Sequence, residues 1–380
     1  MYNTIPTIER SCDNCGSSNM ENLWEYSHKT RTMSKIWKFN VHNVICKECG
    51  FVFTSPALRQ EYLMDYYEDS YSQFTEQQPD YSIQKRLSII DKYFPNYTDC
   101  YIEIGANSKS QFHNQLNNKF KTVLSIEPNK STASDYRNAT EIEEEKADCL
   151  THYFVLEHVP AINAFFKQCN NLLKPDGHMI CEVPALSLYE KHIAPLILFE
   201  HVNHFTPKTL ESIAAARGFE MIENSYTDCS RPFGFVSVFK KCNTTQKQNL
   251  NEFDINKKLF LNGLRAVEKF NVLINSCREI INNVLNKNII IWAANETTSR
   301  LLNELELGNN ISIIDSDIRK KNYFGNNPVV HRPDEVPDII VNADVIIICT
   351  AFHAPEIIES IKVKYNKFFE TESIFIIDLI

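Results

Sequence analysis

One short stretch of the chain, residues 198–206, combines a carboxylate with two imidazoles. Glu200, His201 and His204 come just before an expected helix that begins at Pro207 and has Thr206 as its N-cap. Histidine is the usual proton acceptor at pH 7, and an adjacent carboxylate can orient its ring. We therefore predict that His201 acts as a general base that Glu200 orients. The alternatives are an N-cap region with hydrogen-bonded histidines, or a metal site that lacks a third protein ligand in the sequence.

Two C-x-x-C-G sequences in the first 50 residues indicate a metal site. Cys12 and Cys15 form the first pair, and Cys46 and Cys49 form the second. Four thiolates in this spacing are typical of tetrahedral zinc, and they leave no open position for catalysis. The sequence therefore predicts structural zinc. A redox role is the weaker alternative, because redox C-x-x-C motifs come singly.

Residues 101–128 have the order of a nucleotide site. A strand ends at Gly105, a polar turn leads to a helix from about Gln111, and a second strand ends at Glu127. In a parallel α/β unit this order places Gly105 where the backbone approaches a ligand, and Glu127 where it accepts hydrogen bonds from ribose hydroxyls. Asn107, in the same turn, tolerates a left-handed backbone. The alternative is an ordinary βαβ unit with a solvated Glu127.

The segments that follow continue the α/β pattern. We expect a helix around residues 131–137 and a strand over residues 149–156, followed by His158. Residues 170–184 then read as helix, turn and strand. Because ligands bind at the carboxyl ends of strands in open α/β sheets, Phe154 and His158 are candidate site residues.

The C-terminal third repeats the nucleotide-fold layout after a polar linker and a helix at residues 258–285. The turn at residues 293–295 has no glycine. We therefore expect a substrate-binding or dimerising wall here rather than an independent dinucleotide site. Asp315 and Asp317, after the second strand of this region, are interpreted as solvated loop acids.

Length and charge limit the function classes. A chain of 380 residues that is 43% hydrophobic suggests two or three domains with proper cores. The net charge of −9 and the absence of a basic run exclude a nucleic-acid backbone as the expected partner. No run of 18 apolar residues and no signal-peptide pattern is present, so we expect a cytoplasmic protein without a membrane partner, whose cysteines are thiols or metal ligands.

Residues 101–128 resemble motif I and the following acid of class I methyltransferases, which bind S-adenosylmethionine. The four-cysteine segment, the motifs EIGA (103–106), VLEH (155–158) and FEHVNHF (199–205), and the trailing α/β region follow in the order of one family. The whole chain resembles the sugar C-methyltransferases that methylate nucleotide-linked keto-sugars in deoxysugar biosynthesis. The resemblance implies an α/β protein with a zinc-binding segment (1–65), a Rossmann-like class I methyltransferase domain (66–242) and a second Rossmann-like domain (258–380).

The resemblance also implies roles for residues. It implies that His201 is the base, with Glu200 and His158 lining the sugar site as further catalytic residues. The candidate cofactor-binding residues are Glu103, Gly105, Asn107, Glu127 and Phe154. Tyr71 and His204 are the candidate substrate-binding residues, and the zinc ligands are Cys12, Cys15, Cys46 and Cys49.

The expected activity is transfer of a methyl group from S-adenosylmethionine to the carbon of a nucleotide-linked keto-sugar, by a monomer or homodimer. Two alternatives stay open. The family carries a Tyr just before the EH pair, where this chain has residues 195–199 without one; the acceptor could then be a hydroxyl or an amine. The turn also has the single glycine Gly105, so a methyltransferase-like scaffold without catalysis is the other alternative.

Overall fold

The structure is a computed structural model. It describes residues 6–31, 36–71, 80–107, 109–130, 132–242, 244–246, 248–283, 286–302, 310–317, 320–321, 323–324, 328–350, 353–365 and 374–376. The chain forms two compact units, which we call the central unit (Ile5–Tyr26 and Asn40–Leu264) and the C-terminal unit (Met1–Thr4, Ser27–Phe39 and Arg265–Ile380). Among the described residues, no helix combines the length and the apolar character that crossing a membrane requires.

The N-terminal segment is made of short and medium strands. They are β1 (Thr7–Ile8), β2 (Met20–Arg31), β3 (Ile36–Cys46), β4 (Val52–Thr54) and β5 (Ala57–Leu58). β1 pairs with β5, and a four-stranded sheet has the order β10-β4-β3-β2, where β10 is the later strand Asn203–His204. The strand that follows the second cysteine pair therefore pairs with a strand from the middle of the chain.

A mixed six-stranded sheet forms the middle of the central unit. Its strands and helices are α1 (Gln60–Tyr71), α2 (Asp80–Tyr93), β6 (Thr98–Ile104), α3 (Gln111–Leu116), β7 (Phe120–Ile126), β8 (Ala147–Tyr153), α4 (Ile162–Leu172), β9 (Leu173–Pro184), α5 (Ala194–Ile197), α6 (Pro207–Ala215), β11 (Phe219–Ser225) and β12 (Gly234–Lys241). The strand order is β11-β12-β9-β8-β6-β7. β7, β6, β8 and β9 are parallel, whereas β12 and β11 are antiparallel to their neighbours. This is a Rossmann-like α/β fold.

The parallel strands bring their carboxyl ends to one edge of the sheet. Ile104 at the end of β6 is in register with Ile126 of β7 and with His152 of β8. β7 lies on one side of β6 and β8 on the other, so the chain order reverses at β6. Ligands of open α/β sheets bind outside the carboxyl ends of strands at such a reversal.

The C-terminal unit contains a second, fully parallel sheet. Helix α7 (Phe253–Asn283) leads to β13 (Ile289–Trp292), α8 (Glu296–Leu302), β14 (Ile311–Ile314), β15 (Val330–His331), α9 (Pro337–Val341), β16 (Val345–Ile348), α10 (Ala354–Tyr365) and β17 (Ile374–Ile376). The order is β15-β14-β13-β16-β17. β13 and β16 are buried along their whole length, which matches their uninterrupted apolar sequences.

Two local expectations are wrong. The described residues 132–137 form bends and a bridge instead of the expected helix. The guanidinium of Arg137 donates to the carbonyls of Glu127, Asn129 and Thr132, and these bonds hold the backbone in a loop. Asp315 is buried rather than solvated.

Candidate active site

The turn after β6 requires its single glycine. Gly105 has φ of +74°, and a Cβ at this position would lie 2.3 Å from Cγ2 of Val155. Its N–H donates to the carbonyl of Ile126 across 2.9 Å. The backbone therefore passes close to Val155 in a left-handed conformation that favours glycine.

Glu127 is fastened to this turn by backbone donors. The N–H of Asn107, which has φ of +56°, donates to Oε2 across 3.1 Å, and the N–H of Asn129 donates to Oε1 across 3.0 Å. Burial raises the pKa of Glu127, and the two N–H groups oppose that shift. The carboxylate is therefore fixed at the carboxyl end of β7, next to the turn of β6.

Glu103 and Phe154 occupy the neighbouring strand ends. Glu103 is buried, lies 3.0 Å from Nε2 of His113, and accepts a hydrogen bond from the Tyr101 hydroxyl across 3.3 Å. Phe154 follows β8 with φ of +58°, and its ring packs edge-on against Phe233 at 5.4 Å. Glu103 thus links β6 to α3, while Phe154 lies at the edge of the crevice.

His158 and His201, 43 positions apart in the sequence, are neighbours in the structure. Their ring centroids are 4.7 Å apart, with an interplanar angle of 82°. Oε1 of Glu157 is 3.8 Å from Nε2 of His158. The loop of residues 198–202, which carries Glu200 and His201 and which we call the EH loop, therefore lies beside the segment that follows β8. This is the same edge of the sheet as that of Gly105 and Glu127.

The ring of His201 is set up to accept a proton at Nε2. Nδ1 is 2.9 Å from the carbonyl of Pro195, so it carries the hydrogen and donates it. Burial lowers the pKa of His201 to about 4, so the ring is neutral at pH 7. Burial, together with the neighbouring His201, also lowers the pKa of His158.

Glu157 is a site residue that the sequence did not single out. It is 1% exposed, and within the described part of the chain neither carboxylate oxygen has a hydrogen-bond partner. Burial raises its pKa well above the usual range. The only sequence signal was its position in the LEH strand end. A buried acid without a partner beside two imidazoles can supply a counter-charge when one of them is protonated.

Backbone and side-chain hydrogen bonds fix the loop that carries His201. The N–H of Val202 donates to the carbonyl of Glu157 across 2.8 Å. The Asn203 amide donates to the carbonyls of Leu156, across 3.0 Å, and Val159, across 2.8 Å. Arg10 donates to the Asn203 side chain across 2.7 Å and to the Val202 carbonyl across 3.0 Å. Asn203 and Arg10 are positioning residues that the sequence did not indicate.

The other predicted side chains lie as follows. Glu200 is buried, but the hydrogen bond recorded for Nδ1 of His201 goes to Pro195, so the proposed orienting role of Glu200 stays a prediction. His204 uses both ring nitrogens within the protein, with the Tyr189 hydroxyl at 2.9 Å and the Asn43 side chain at 3.1 Å. This geometry favours a structural role for His204. Tyr71 ends α1, and its side chain is outside the described residues.

The four N-terminal cysteines come together. Their sulfur atoms all lie within 4.8 Å of one another, and the Cys12–Cys49 and Cys15–Cys46 pairs are 3.5 Å apart. Sulfur atoms bound to one tetrahedral zinc lie about 3.8 Å apart, given a Zn–S distance of about 2.3 Å. The thiol set therefore fits zinc.

A second group of possible metal donors lies in the EH site. One donor atom each of Glu157, His158 and His201 is within 4.8 Å of the others. The sequence lacked a third protein ligand for a metal at this site, and Glu157 could be that ligand. A carboxylate and two imidazoles are donors that suit a divalent ion, and the same groups suit proton transfer.

A comparison with protein families completes the assignment of the central unit. Residues 74–224 match the family model described as a methyltransferase domain. The central unit carries a class I methyltransferase domain. The match supports S-adenosylmethionine as the methyl donor. The assignment of Gly105, Asn107, Glu127 and Phe154 to the cofactor stays a prediction.

The solved structures that resemble the chain include methyltransferases. One is the 1,6-didemethyltoxoflavin-N1-methyltransferase of Burkholderia thailandensis, with 13% identity over 52% of this chain and 98% of that one, and a TM-score of 0.39. Another is an S-adenosylmethionine-dependent methyltransferase of Mesorhizobium loti, with 11% identity over 41% of this chain and 98% of that one, and a TM-score of 0.32. A search of the curated proteins finds no match.

Proposed function

We propose that the protein transfers a methyl group from S-adenosylmethionine to a carbon atom of a nucleotide-linked keto-sugar. The observation that carries this proposal is the pairing of a neutral, buried His201 with His158 at the carboxyl end of β8, beside the crevice of Gly105 and Glu127. The bound donor supplies an electrophilic methyl group. The residues of the chain supply the nucleophile by removing a proton.

In the proposed reaction, Nε2 of His201 takes the proton from the carbon next to the sugar carbonyl. The electron pair of the broken C–H bond forms an enolate, and His158 donates a hydrogen bond to the oxygen on which the charge develops. Charging a buried imidazole is unfavourable, and the positive charge in turn favours ionisation of Glu157, one donor atom of which lies within 4.8 Å of those of His158 and His201. The enolate carbon would then form a bond to the methyl carbon as the bond between that carbon and the donor sulfur breaks, and S-adenosylhomocysteine would leave.

Two alternatives accompany this proposal. A hydroxyl or amine acceptor would need His201 only to take a proton from oxygen or nitrogen, and the missing Tyr before the EH pair favours that route. A scaffold that lost the donor is the other alternative. Calorimetry with S-adenosylhomocysteine distinguishes this scaffold from an enzyme. A folded protein that gives no heat at about 1 mM ligand binds it with less than about 4 kcal/mol of free energy and is a scaffold.

Mass spectrometry of nucleotide-linked sugars incubated with protein and donor tests the reaction. We expect a methyl mass gain on a keto-sugar, with loss of most turnover in His201→Ala and His201→Asn. His178→Asn is a matched control, because His178 pairs with Cys149 near the amino end of β8, at the opposite edge of the sheet from His201. Full turnover in both His201 variants would exclude His201 as the base.

An exchange experiment distinguishes methyl transfer to carbon from methyl transfer to oxygen or nitrogen. If His201 forms an enolate, the sugar incorporates deuterium next to the carbonyl in D₂O without donor, and His201→Asn abolishes this exchange. Methyl transfer without such exchange assigns the acceptor to oxygen or nitrogen instead.

A further inference from the structure

The loop that follows β7 closes around one side chain, the guanidinium of Arg137. Nη1 lies 3.1 Å from the carbonyl oxygen of Glu127, 2.6 Å from that of Asn129 and 2.9 Å from the Ser134 hydroxyl. Nη2 donates to the carbonyl of Thr132 across 2.9 Å. One cation therefore binds the loop at points that extend from Glu127 to Ser134.

The backbone next to Arg137 is fixed to β7. The N–H of Tyr136 donates to the carbonyl of Ser125 across 3.0 Å, and the N–H of Glu127 donates to the carbonyl of Tyr136 across 3.0 Å. Tyr136 thereby forms a parallel bridge with Ile126. Because Arg137 is the next residue, its side chain starts from a backbone that the strand holds in place.

Asp135 connects the same segment to the other side of the crevice. Its Oδ2 accepts the N–H of Ser125 across 2.8 Å and the Ser125 hydroxyl across 3.0 Å. Its Oδ1 lies 2.7 Å from Nζ of Lys109, in the segment that follows Gly105. The segment that carries Arg137 is therefore in contact both with β7 and with the chain that follows β6.

The loop does not satisfy its carbonyl groups by regular structure. Residues 127–134 contain no glycine, and the described ones, 127–130 and 132–134, belong to neither helix nor strand. Buried carbonyl groups in such a segment need donors from elsewhere. A guanidinium has five N–H donors in a rigid plane and can serve several carbonyls at once, whereas an ammonium group is a compact point charge. An arginine is therefore well suited to order this loop.

Asn129 connects the guanidinium to the acid that ends β7. Its carbonyl is 2.6 Å from Nη1 of Arg137, and its N–H donates to Oε1 of Glu127 across 3.0 Å. Asn129 is 4% exposed, so water has little access to these contacts. Burial raises the pKa of Glu127, and the positive charge of Arg137 is one of the causes that oppose this shift. The guanidinium therefore acts on the position and on the charge of the same carboxylate.

We propose that Arg137 is the positioning residue of the donor site. It holds the carbonyl groups of the loop so that the carboxylate of Glu127 faces the ribose hydroxyls of S-adenosylmethionine. Arg137 touches no reacting atom and acts through Glu127. The inference rests on the donor of the proposed function and is independent of the acceptor and of His201.

Calorimetry with S-adenosylhomocysteine on the full chain tests this role. We expect saturable binding to the wild type, weakened about tenfold in Arg137→Ala, because the carboxylate of Glu127 is no longer held and a hydrogen bond to a charged group contributes about tenfold or more. Lys130→Ala is the matched control. It removes one positive charge from an exposed side chain of the same loop and should bind like the wild type.

The thermal midpoint without ligand shows which variants are folded. Arg137→Lys keeps the charge but not the planar set of donors, so it should also bind less tightly than the wild type. This variant takes the place of Arg137→Ala in the comparison if the alanine variant does not fold.

A double-mutant cycle shows whether Arg137 acts through Glu127. Glu127→Gln should also weaken binding about tenfold, because a neutral amide replaces the carboxylate that accepts the ribose hydroxyls. If Arg137 only positions this carboxylate, the double variant binds within about twofold of Glu127→Gln alone. Losses that multiply to about a hundredfold would show that the two side chains act separately and would overturn the inference.

Guanidinium chloride provides a test that general destabilisation would not pass. Arg137→Ala leaves space for a free guanidinium ion, which can donate to the same carbonyl groups. At about 20 mM, far below denaturing concentrations, this salt should restore most of the lost affinity in Arg137→Ala, whereas sodium chloride at the same concentration should not. The wild type should respond equally to both salts.

The wild type provides the reference for every outcome. If it binds S-adenosylhomocysteine, then wild-type affinity of folded Arg137→Ala, or an equal response of that variant to the two salts, would overturn the role of Arg137 alone. Absence of binding to the wild type up to about 1 mM would contradict the proposed donor and the inference with it.

Discussion

The backbone of Asn203 pairs with that of Phe53 in antiparallel register. Phe53 belongs to the strand that follows the cysteine pair Cys46 and Cys49, and Asn203 comes two residues after His201. The N–H of Thr54 also donates to the carbonyl of Val202 across 2.9 Å. The segment that carries the four cysteines therefore pairs directly with the end of the loop that carries the candidate base.

We expect Cys46→Ser to release zinc and to loosen the EH loop. The wild type should contain about one equivalent of zinc, and the variant less than about half, because three ligands bind the ion far more weakly. Hydrogen exchange of the amides of Val202 and Asn203 should become faster, while that of β13 in the C-terminal unit is unchanged. Cys242→Ser is the matched control and should keep the metal.

The metal content also decides between a proton site and a second metal site. Two equivalents in the wild type, reduced to one in His201→Ala, would assign an ion to Glu157, His158 and His201. If the wild type contains one equivalent of metal and His201→Ala does not change that content, Glu157, His158 and His201 form a proton-transfer site.

We expect Asn203→Ala to destabilise the central unit by about 2 kcal/mol or more. The variant leaves two buried carbonyls and a guanidinium without this partner, and each such loss costs about 1–3 kcal/mol. Denaturant unfolding measures the effect. Asn203→Asp keeps an oxygen for Arg10 but turns the second oxygen towards the carbonyls of Leu156 and Val159, so it should recover only part of the loss. Wild-type stability of Asn203→Ala would contradict a positioning role.

The sequence predicted local features better than long-range contacts. Thr206 caps α6 as expected, with its side chain accepting from the N–H of Thr209, and α3 begins at Gln111 as expected. The pairing of Arg10 with Asn203 spans 193 positions, and no local pattern encodes it. The expected helix around residues 131–137 failed because Arg137 binds loop carbonyls, which propensity does not register. Asp315 was expected to be solvated, but it is buried and accepts two backbone N–H groups. The sequence could not reveal these donors, because only the tertiary fold brings them to the carboxylate.

The pH dependence of turnover should report the low pKa of His201. A base must be neutral, and burial lowers this pKa from 6.5 to about 4. At pH 5.5 an ordinary histidine is about 90% protonated, whereas a group with a pKa of about 4 is only a few per cent protonated. We therefore expect kcat/KM for the methylated substrate to stay within about twofold between pH 7 and pH 5.5. A tenfold fall over that interval, with the fold intact, would show that the base titrates in the ordinary range.

A different histidine should make the central unit labile to acid. His152 is fully buried beside Phe165, neither ring nitrogen has a hydrogen-bond partner in the described structure, and burial lowers its pKa to about 3. Below pH 6.5 the unfolded chain binds a proton that the folded state excludes, so stability falls as the pH falls. This linkage costs about 2 kcal/mol between pH 7 and pH 5.

The variant His152→Leu should remove that component. We expect it to be at least as stable as the wild type at pH 7, because two buried polar atoms without partners are lost. Its advantage, measured by denaturant unfolding, should grow by about 2 kcal/mol at pH 5. An equal loss of stability in both proteins over this interval would contradict the assignment.

Gly105, after β6, and Ala293, after β13, both have a left-handed backbone, and they should respond in opposite ways to exchange of alanine and glycine. Gly105→Ala introduces a Cβ that meets Val155 at 2.3 Å, in a backbone conformation that costs an L-residue about 1–2 kcal/mol. We expect a lower thermal midpoint for the central unit and weaker binding of S-adenosylhomocysteine.

Ala293→Gly relieves the backbone strain at φ of +82°, and the greater entropy of glycine in the unfolded chain offsets part of that gain. The C-terminal unit should then change by no more than about 1 kcal/mol, in the stabilising direction. Clear destabilisation by Ala293→Gly would show that the methyl group of Ala293 contributes packing that outweighs the strain, and unchanged ligand affinity in Gly105→Ala would separate the turn from the cofactor crevice.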